Sequence, residues 1–427
     1  MSVAPQVVEV RIWGRRVGAV ALDPRLGAYA FEYDPAWARG HVELAPLQMP
    51  LARAAQPFVF PDLPRASFHG LPGMLADALP DEFGNNLINK WMAEQGVAPD
   101  SITPLDRLAY MGRRGLGALE FRPARGSLRE SKAPLRMQSL VEAARLAIRG
   151  DLGDDAHARA ALANIIRVGT SAGGARAKAV VAWNPDTGEL RSGQFDADPG
   201  FEHWLLKFDG VGKDADLGEA QGYGRIEYAY HLMATAAGVR MAPCRLLEEN
   251  GRAHFMTRRF DREGNRKLHV QSLCALQHMD YRQRGSHAYE SLFITASRLG
   301  LGDEAMTQLF ARMAFNVAAR NCDDHTKNFA FLLREGGAWE LAPAYDVTHA
   351  YNPQSYWVSQ HLMSVNGRFL GATREDLLQV AARFAIADPA GILERVNAAI
   401  ARWAEFAAAA GVSDADSARV LRDLRAL

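Results

Sequence analysis

The densest polar cluster in the chain is the segment NCDDHTKN at 321–328, between an apolar helical pattern and an apolar strand pattern. Asp323 and Asn328 lie five positions apart within it. Enzymes that transfer a phosphoryl group use an Asp and an Asn at this spacing, because a carboxylate must face the acceptor hydroxyl and an amide oxygen must face Mg²⁺. The spacing predicts Asp323 as the catalytic base and Asn328 as a metal ligand, with His325 orienting the catalytic loop.

A second carboxylate is needed to hold Mg²⁺ against phosphate oxygens, because hard divalent cations prefer oxygen ligands. Asp346 can supply it, since it follows Asn328 by eighteen residues in LAPAYDVT, at the end of a predicted hairpin. The alternative interpretation of the polar cluster is an ordinary turn rich in Asn and Asp, residues that tolerate tight bends. The position of Asp346 favours the metal site.

Lys207 lies in the apolar strand pattern HWLLKF, where an ammonium group is costly unless it is paired or reaches water. Glu227 follows twenty residues later, near the start of a predicted helix. A strand lysine paired with a helix glutamate is the arrangement that holds the α- and β-phosphates of ATP in kinases. Alone, each residue also fits a strand edge or a first helical turn. Together they predict a contact to ATP.

A glycine-rich segment, GTSAGGARAK at 169–178, precedes the strand pattern AVVAW. Glycines allow backbone N–H groups to approach phosphate oxygens, and Arg176 and Lys178 add positive charge. The segment matches no standard phosphate-binding motif, and a glycine-rich turn is the alternative. Its position before the Lys207 strand favours a phosphate-binding loop, whose predicted contacts are Ser171, Ala172, Gly173, Gly174 and Lys178.

The composition argues against several classes of protein. Lys plus Arg and Asp plus Glu both total 49 in 427 residues, so no global charge favours nucleic acid or membrane surfaces. The three cysteines are widely spaced, and Cys322 with His325 provides only two of the four ligands of a structural zinc site. Neither a signal peptide nor a long apolar run is found, so we expect a cytoplasmic protein.

The elements that must position these residues form two predicted lobes after an N-terminal module. Strand patterns, a hairpin with a Gly-Arg turn, and helices broken at Pro80 indicate a mixed α/β module over 1–125. A polar stretch then leads to a β-containing lobe over 137–275 and a mostly helical lobe over 276–427. This order is typical of two-lobed nucleotide enzymes.

The motifs in this order resemble those of the HipA-type toxin kinases of bacterial type II toxin–antitoxin modules. FHGLPGMLADALPDEFG and LAYMGRRGLGALEF are similar to the N-terminal module of that family. VGTSAGGARAK resembles its phosphate-binding loop, MTRRFDR its hinge, NCDDHTKNFAFL its catalytic loop and LAPAYDVT its metal-binding segment. The resemblance implies an α+β, two-lobed protein-kinase-like fold and serine/threonine phosphorylation with ATP and Mg²⁺.

By the same resemblance, Asp323 is the base, Asn328 and Asp346 are the metal ligands, and Lys207 contacts ATP. The hinge beside adenine is Arg258, Arg259 and Phe260, although Arg258 stands where the family often has an acidic residue. Ser171 matches the autophosphorylated serine, with Thr170 as a second candidate. A phosphate there would repel ATP and silence the enzyme. The implied partners are a HipB-like helix-turn-helix antitoxin that binds operator DNA and, as substrate, an aminoacyl-tRNA synthetase.

Two alternatives from other classes remain open. The large N-terminal module and the Arg258 departure are also compatible with a catalytically idle kinase-like co-repressor that acts with an antitoxin. A kinase-fold enzyme that phosphorylates a small molecule would carry the same catalytic loop.

Overall fold

The computed structural model describes residues 5–80, 82–125, 133–149, 165, 176–211, 213–214, 218–219 and 222–427. The described strands are β1 Val7–Ile12, β2 Arg15–Asp23, β3 Ala28–Tyr33, β4 Leu119–Arg122, β5 Lys178–Trp183, β6 Leu190–Ser192, β7 Glu202–Lys207, β8 Lys213–Asp214, β9 Gly218–Glu219, β10 Cys244–Glu249, β11 Arg252–Arg258, β12 Arg262–Glu263, β13 Arg266–Lys267, β14 His269–Ser272, β15 His287–Ala288, β16 Ala330–Leu333, β17 Trp339–Leu341 and β18 Met363–Ser364.

The described α-helices are α1 Pro35–Ala38, α2 Arg65–Phe68, α3 Gly73–Ala76, α4 Glu82–Glu94, α5 Pro104–Met111, α6 Met137–Arg149, α7 Tyr223–Ala236, α8 Leu273–Gln277, α9 Tyr289–Arg298, α10 Asp303–Ala318, α11 Arg374–Arg383, α12 Pro389–Ala401, α13 Trp403–Ala409 and α14 Asp414–Asp423. Short 3₁₀ turns lie at Leu51–Arg53, Pro99–Ser101 and Thr326–Asn328. Among the described helices, none combines the length and the apolar composition that crossing a membrane requires.

The chain forms two compact units. The first contains Met1–Gly212, Arg258–Asp280 and Leu332–Ala338, and the second contains Lys213–Thr257, Tyr281–Phe331 and Trp339–Leu427. The first unit holds the N-terminal sheet and strands β5 to β7, and the second holds most of the long helices. Strands and helices are both present, as the predicted α+β class requires, whereas the predicted boundaries at 125, 137 and 276 stay predictions.

The N-terminal sheet is antiparallel, with the strand order β3, β2, β1, β4. Val8, Val10 and Ile12 alternate along β1 and are fully buried, as a half-buried strand requires. The hairpin turn between β1 and β2 is Trp13-Gly14, because Ile12 pairs with Arg15 and both turn residues have positive φ. The turn predicted at Gly-Arg was therefore wrong by one residue.

A buried charged network holds the glycine-rich turn before β4. Asp261 is fully buried and accepts hydrogen bonds from Arg259, at 2.7 and 2.9 Å, from Arg262 at 2.6 Å and from the Gly117 N–H at 2.8 Å. Arg259 and Arg262 hold the pKa of Asp261 well below its usual range although its burial opposes ionisation. Removal of one partner from such a buried network is strongly destabilising, because it leaves an uncompensated buried charge.

The core of the second unit is built by helix packing. Helix α10 packs on α12, and α7 packs on both α12 and α13. Tyr230 and Trp403 are fully buried with ring centroids 5.5 Å apart, and the Tyr230 hydroxyl donates to the Ala319 carbonyl at 2.6 Å. Ala319 caps the end of α10, immediately before the polar cluster. The helical core therefore fixes the point at which that cluster begins.

Candidate active site

The polar cluster forms a loop between α10 and β16, as the flanking apolar patterns predict. Asn321 and Ala350 form an isolated parallel β-bridge, and the Cys322 N–H donates to the Ala350 carbonyl at 3.0 Å. Arg320, just before them, has φ of 55° and places its guanidinium 3.7 Å from the ring centroid of Tyr351. The loop is therefore held at its start by the segment that follows Asp346.

Asp323 lies on this loop with 38% of its side chain exposed, so an acceptor group can reach the carboxylate. Its Oδ1 accepts a hydrogen bond from the indole N–H of Trp357 at 2.7 Å, and Nε2 of His325 is 3.9 Å from the same oxygen. Enclosure by the protein raises the pKa of Asp323, against the lowering effects of His325 and of the Trp357 hydrogen bond. A carboxylate with a raised pKa accepts a proton more readily, as a general base must.

Asn328 is tied to the backbone of the predicted base, because its Nδ2 donates to the Asp323 carbonyl oxygen at 2.8 Å. With the amide nitrogen used in this way, its Oδ1 is the atom available to a cation. Asn328, Asp324 and Asp346 line one pocket in the second unit. The structure thus brings the two predicted metal ligands to the same pocket.

Asp346 has φ of 55°, a left-handed conformation that is uncommon for a residue other than glycine. Such strain is maintained only where the surrounding structure demands it, and it concentrates at functional sites. The adjacent Tyr345 fixes this turn to the catalytic loop, because its hydroxyl donates to the Lys327 carbonyl at 2.5 Å. The left-handed backbone at Asp346 and the Tyr345 hydrogen bond together fix the position of the segment that carries Asp346.

The residues fit the requirements of Mg²⁺. This ion keeps several water ligands and binds one or two protein carboxylates together with phosphate oxygens, so a protein cage is not needed. Asn328 and Asp346, the two predicted ligands, line one pocket and would offer it side-chain oxygens. Within the described part of the chain, no group of three or more His, Cys, Asp and Glu side chains has metal-binding geometry.

Asp324, next to the predicted base, is buried and fully engaged by neighbouring groups. Its Oδ2 accepts from the Tyr289 hydroxyl and from Nδ1 of His361, both at 2.8 Å, and its Oδ1 accepts from the Leu362 N–H at 2.7 Å. Although burial disfavours a charged imidazole, the Asp324 carboxylate and Cys322 raise the pKa of His361 to about 10. Asp324 and His361 form a buried ion pair beneath the predicted catalytic loop.

Two predicted phosphate contacts lie side by side in the first unit. Lys178 on β5 is directly opposite Lys207 on β7 in the antiparallel register, so both side chains leave the same face of the sheet. Lys178 is buried and Lys207 is half-buried. Two predicted cationic contacts therefore share one face of the sheet.

The predicted hinge residues have different environments. Arg258 is half-exposed and lies 3.4 Å from Glu202, whereas Arg259 is buried and bound to Asp261. The Arg259 N–H donates to the His203 carbonyl at 2.9 Å. The Arg259 guanidinium is thus bound to Asp261, Phe260 follows it in a turn, and the predicted contacts of 258–260 to adenine stay predictions.

The remaining predicted site residues are not brought together by the described structure. Thr170, Ser171, Ala172, Gly173 and Gly174 lie outside the described residues. Lys207 belongs to the first unit and the buried Glu227 to the second, so their predicted pairing stays a prediction.

Sequence reasoning missed the residues that support the loop. Trp357, His361 and Tyr289 contact Asp323 or Asp324 directly, although they are between 34 and 37 positions away in the sequence. In the sequence, the polar segment that follows Asp346 contains Trp357 and His361, but no pattern there indicates which residues they contact.

Comparison with known proteins identifies the class of this chain. The HipA-like C-terminal domain matches residues 170–412, and the HipA N-terminal domain matches residues 8–122. Since the former alone spans more than half of the sequence, the chain belongs to the HipA family. No curated protein is similar enough in sequence to be counted as a relative.

Solved structures support the same fold. The Shewanella oneidensis MR-1 HipA, from a complex of the toxin–antitoxin system HipA, HipB and its operator DNA, aligns over 97% of this chain and 94% of that chain, with a TM-score of 0.67 and 16% identity. The Helicobacter pylori proinflammatory kinase CtkA aligns over 58% of this chain and 93% of that chain, with 12% identity and a TM-score of 0.35, too low to support an argument. The first alignment confirms the predicted two-lobed α+β fold.

Proposed function

We propose that this chain is an ATP- and Mg²⁺-dependent serine/threonine protein kinase and the toxin of a toxin–antitoxin pair. The observation that carries the proposal is the arrangement of Asp323, Asn328 and Asp346. Asn328 is bonded through its amide nitrogen to the backbone of Asp323, and its side chain shares a pocket with Asp346. This arrangement supports phosphoryl transfer in which Asn328 and Asp346 would hold the metal and Asp323 would accept the proton.

In the proposed reaction the acceptor hydroxyl attacks the γ-phosphorus of ATP. The new O–P bond forms as the bond from phosphorus to the β,γ-bridging oxygen breaks, and ADP leaves with that oxygen. The proton of the hydroxyl moves to Oδ2 of Asp323, because Oδ1 already accepts from Trp357. Asn328 and Asp346 would hold Mg²⁺, which neutralises charge on the phosphate oxygens when it is bound.

The remaining proposed contacts lie in the first unit. Lys178 and Lys207, opposite one another on β5 and β7, would bind phosphate oxygens of ATP. Backbone groups of 258–260 would contact the adenine, and Glu227 would orient Lys207. Autophosphorylation of Ser171, or of the adjacent Thr170, would place negative charge where ATP phosphates bind and so inhibit the enzyme.

We propose a HipB-like antitoxin as partner, and through it operator DNA, because the Shewanella oneidensis relative was solved as such a complex. The proposed substrate is a bacterial protein, and the family resemblance points to an aminoacyl-tRNA synthetase. Its phosphorylation would stop growth.

The decisive experiment measures ADP formation and phosphate incorporation by the purified chain with ATP and MgCl₂. Wild type is expected to form ADP, and Asp323→Asn to lose at least about a hundredfold in rate because the proton acceptor is gone. Asp303→Asn is the matched control, since Asp303 is an exposed residue at the start of α10. Equal rates in wild type and Asp323→Asn would overturn the proposal.

Phosphoproteomics after induction, wild type against Asp323→Asn, tests the class of substrate. A bacterial protein phosphorylated only by wild type supports the toxin kinase. ADP formation with an unchanged phosphoproteome would instead favour the small-molecule phosphotransferase. Binding of an antitoxin without ADP formation or growth arrest would favour the idle co-repressor.

A further inference from the structure

A tryptophan outside every predicted motif contacts the proposed base. The indole Nε1 of Trp357 is 2.7 Å from Oδ1 of Asp323, a short hydrogen bond typical of a charged acceptor. Trp357 is half-buried and packs against the buried cluster of Cys322, Ala350 and Val358. Its ring is therefore fixed by packing, and its N–H group has a fixed direction.

The backbone around Trp357 is fixed as well. The hydroxyl oxygen of Ser355 accepts from the N–H groups of Trp357, at 3.0 Å, and of Val358, at 3.1 Å, which closes a tight turn. At the other end of the segment, the Leu362 N–H donates to Asp324 at 2.7 Å. The segment 355–362 is thus anchored both within itself and on the catalytic loop.

The two carboxylate oxygens of Asp323 have different surroundings. Oδ1 accepts the indole N–H, and it is also the oxygen nearest to Nε2 of His325 at 3.9 Å. Within the described part of the chain, no hydrogen bond reaches Oδ2. A carboxylate with one oxygen fixed by a rigid donor has a single orientation, and rotation about its Cβ–Cγ bond would require that bond to break.

We propose that Trp357 is a positioning residue that fixes Oδ1 of Asp323 and so directs Oδ2 at the acceptor hydroxyl. This inference rests on the proposed function, because it concerns the same carboxylate. Positioning lowers the barrier by holding the reacting atoms in a near-attack geometry, without contact between Trp357 and the substrate. Trp357 therefore acts on the maximal rate and leaves ATP binding unchanged.

The test is Trp357→Phe, which keeps an aromatic ring and removes the N–H donor. ADP formation by the full-length chain is measured at several ATP concentrations with MgCl₂, because every phosphoryl transfer from ATP releases ADP whatever the acceptor. We expect kcat to fall about ten- to a hundredfold, the range for a lost hydrogen bond to a charged group, with KM for ATP unchanged within about twofold. Trp357→Met, which also lacks a donor, replaces the Phe variant if that variant does not unfold cooperatively on heating.

The matched control is Trp13→Phe. Nε1 of Trp13 donates to the Lys267 carbonyl at 2.9 Å in the first unit, so this variant also loses one indole hydrogen bond. It is expected to lower the melting temperature while kcat stays at the wild-type value. A double variant provides the second readout: in Asp323→Asn, the additional Trp357→Phe change is expected to lower the residual rate no further, because the two residues act as one unit.

The outcomes separate this inference from the proposed function. If Asp323→Asn is inactive but Trp357→Phe has the wild-type kcat, the positioning role is wrong and the kinase proposal stands. A raised kcat in Trp357→Phe would likewise overturn it, since the bond would then restrain the base. If wild type forms no ADP, the proposed function fails, and the positioning role fails with it.

Discussion

Nδ1 of His361 lies 2.8 Å from Oδ2 of Asp324, and both side chains are buried directly beneath the proposed catalytic loop. This pair joins the residue next to the proposed base to a segment 37 positions further along the chain. Since Tyr289 also donates to the same carboxylate, three parts of the second unit meet at Asp324. The geometry of the catalytic loop therefore depends on a buried charge pair that takes no part in the proposed proton transfer.

We predict that His361→Gln lowers the free energy of unfolding at pH 7 by about 3–5 kcal/mol, because Asp324 is left as a buried charge without its cation. The measurement is urea denaturation. The pKa of His361 is raised to about 10 from an ordinary value of about 6.5, so its contribution is complete below pH 6.5 and is lost as the pH rises through 10. As the pH rises from 6.5 through 10, the free energy of unfolding should fall more for wild type than for His361→Gln. Parallel curves for the two proteins would argue against the ion pair.

Two substitutions at Asp346 should distinguish the loss of the metal-binding carboxylate from the cost of a poorly suited side chain at a left-handed position. Asn tolerates the left-handed conformation with φ of 55°, so Asp346→Asn is expected to change stability by less than about 1 kcal/mol while it abolishes Mg²⁺-dependent ADP formation. Asp346→Asn removes the negative charge but keeps one side-chain oxygen, whereas Asp346→Val removes both oxygens and adds a β-branched side chain at that φ, at an additional cost of about 1–3 kcal/mol. Thermal unfolding of both variants checks the comparison, which fails if Val is tolerated as well as Asn.

Lys207 on β7, opposite Lys178 on β5, is proposed to bind a phosphate group of ATP. Lys207→Gln is expected to weaken ATP binding about tenfold or more, because one cation at the proposed phosphate site is lost. Titration calorimetry with ATP gives the affinity, and Lys90→Gln on α4 is the charge-matched control. Wild-type affinity in Lys207→Gln would remove this lysine from the proposed ATP site.

Asp261→Asn tests the buried network of the first unit. We expect a loss of about 3–5 kcal/mol at pH 7, because Arg259 and Arg262 would lose their shared carboxylate. The pKa of Asp261 lies well below its usual value of about 3.9, so its contribution is present above that pH and is lost as the pH falls further. Acid unfolding followed by circular dichroism should show this loss in wild type and not in the variant. An unchanged stability at pH 7 would mean that the network contributes nothing.

Much of the local structure could be predicted from the sequence. The apolar periodicity around 321–328 correctly predicted a helix before the loop and a strand after it, and Pro80 lies between α3 and α4 as expected. The first hairpin was predicted correctly, but its turn was placed at Gly-Arg. The actual Trp13-Gly14 turn could not be predicted, because tryptophan with positive φ contradicts ordinary turn preferences.

The sequence by itself determined which residues could perform phosphoryl transfer, because the spacing of Asp323, Asn328 and Asp346 is a local property of one loop and the segment after it. It could not show that Trp357 fixes Asp323 or that His361 pairs with Asp324. Both contacts join parts of the chain more than thirty positions apart, at 34 and 37 residues. Only the packing of the helices and loops of the second unit brings such residues together, because no periodicity or spacing rule records which distant side chains will meet.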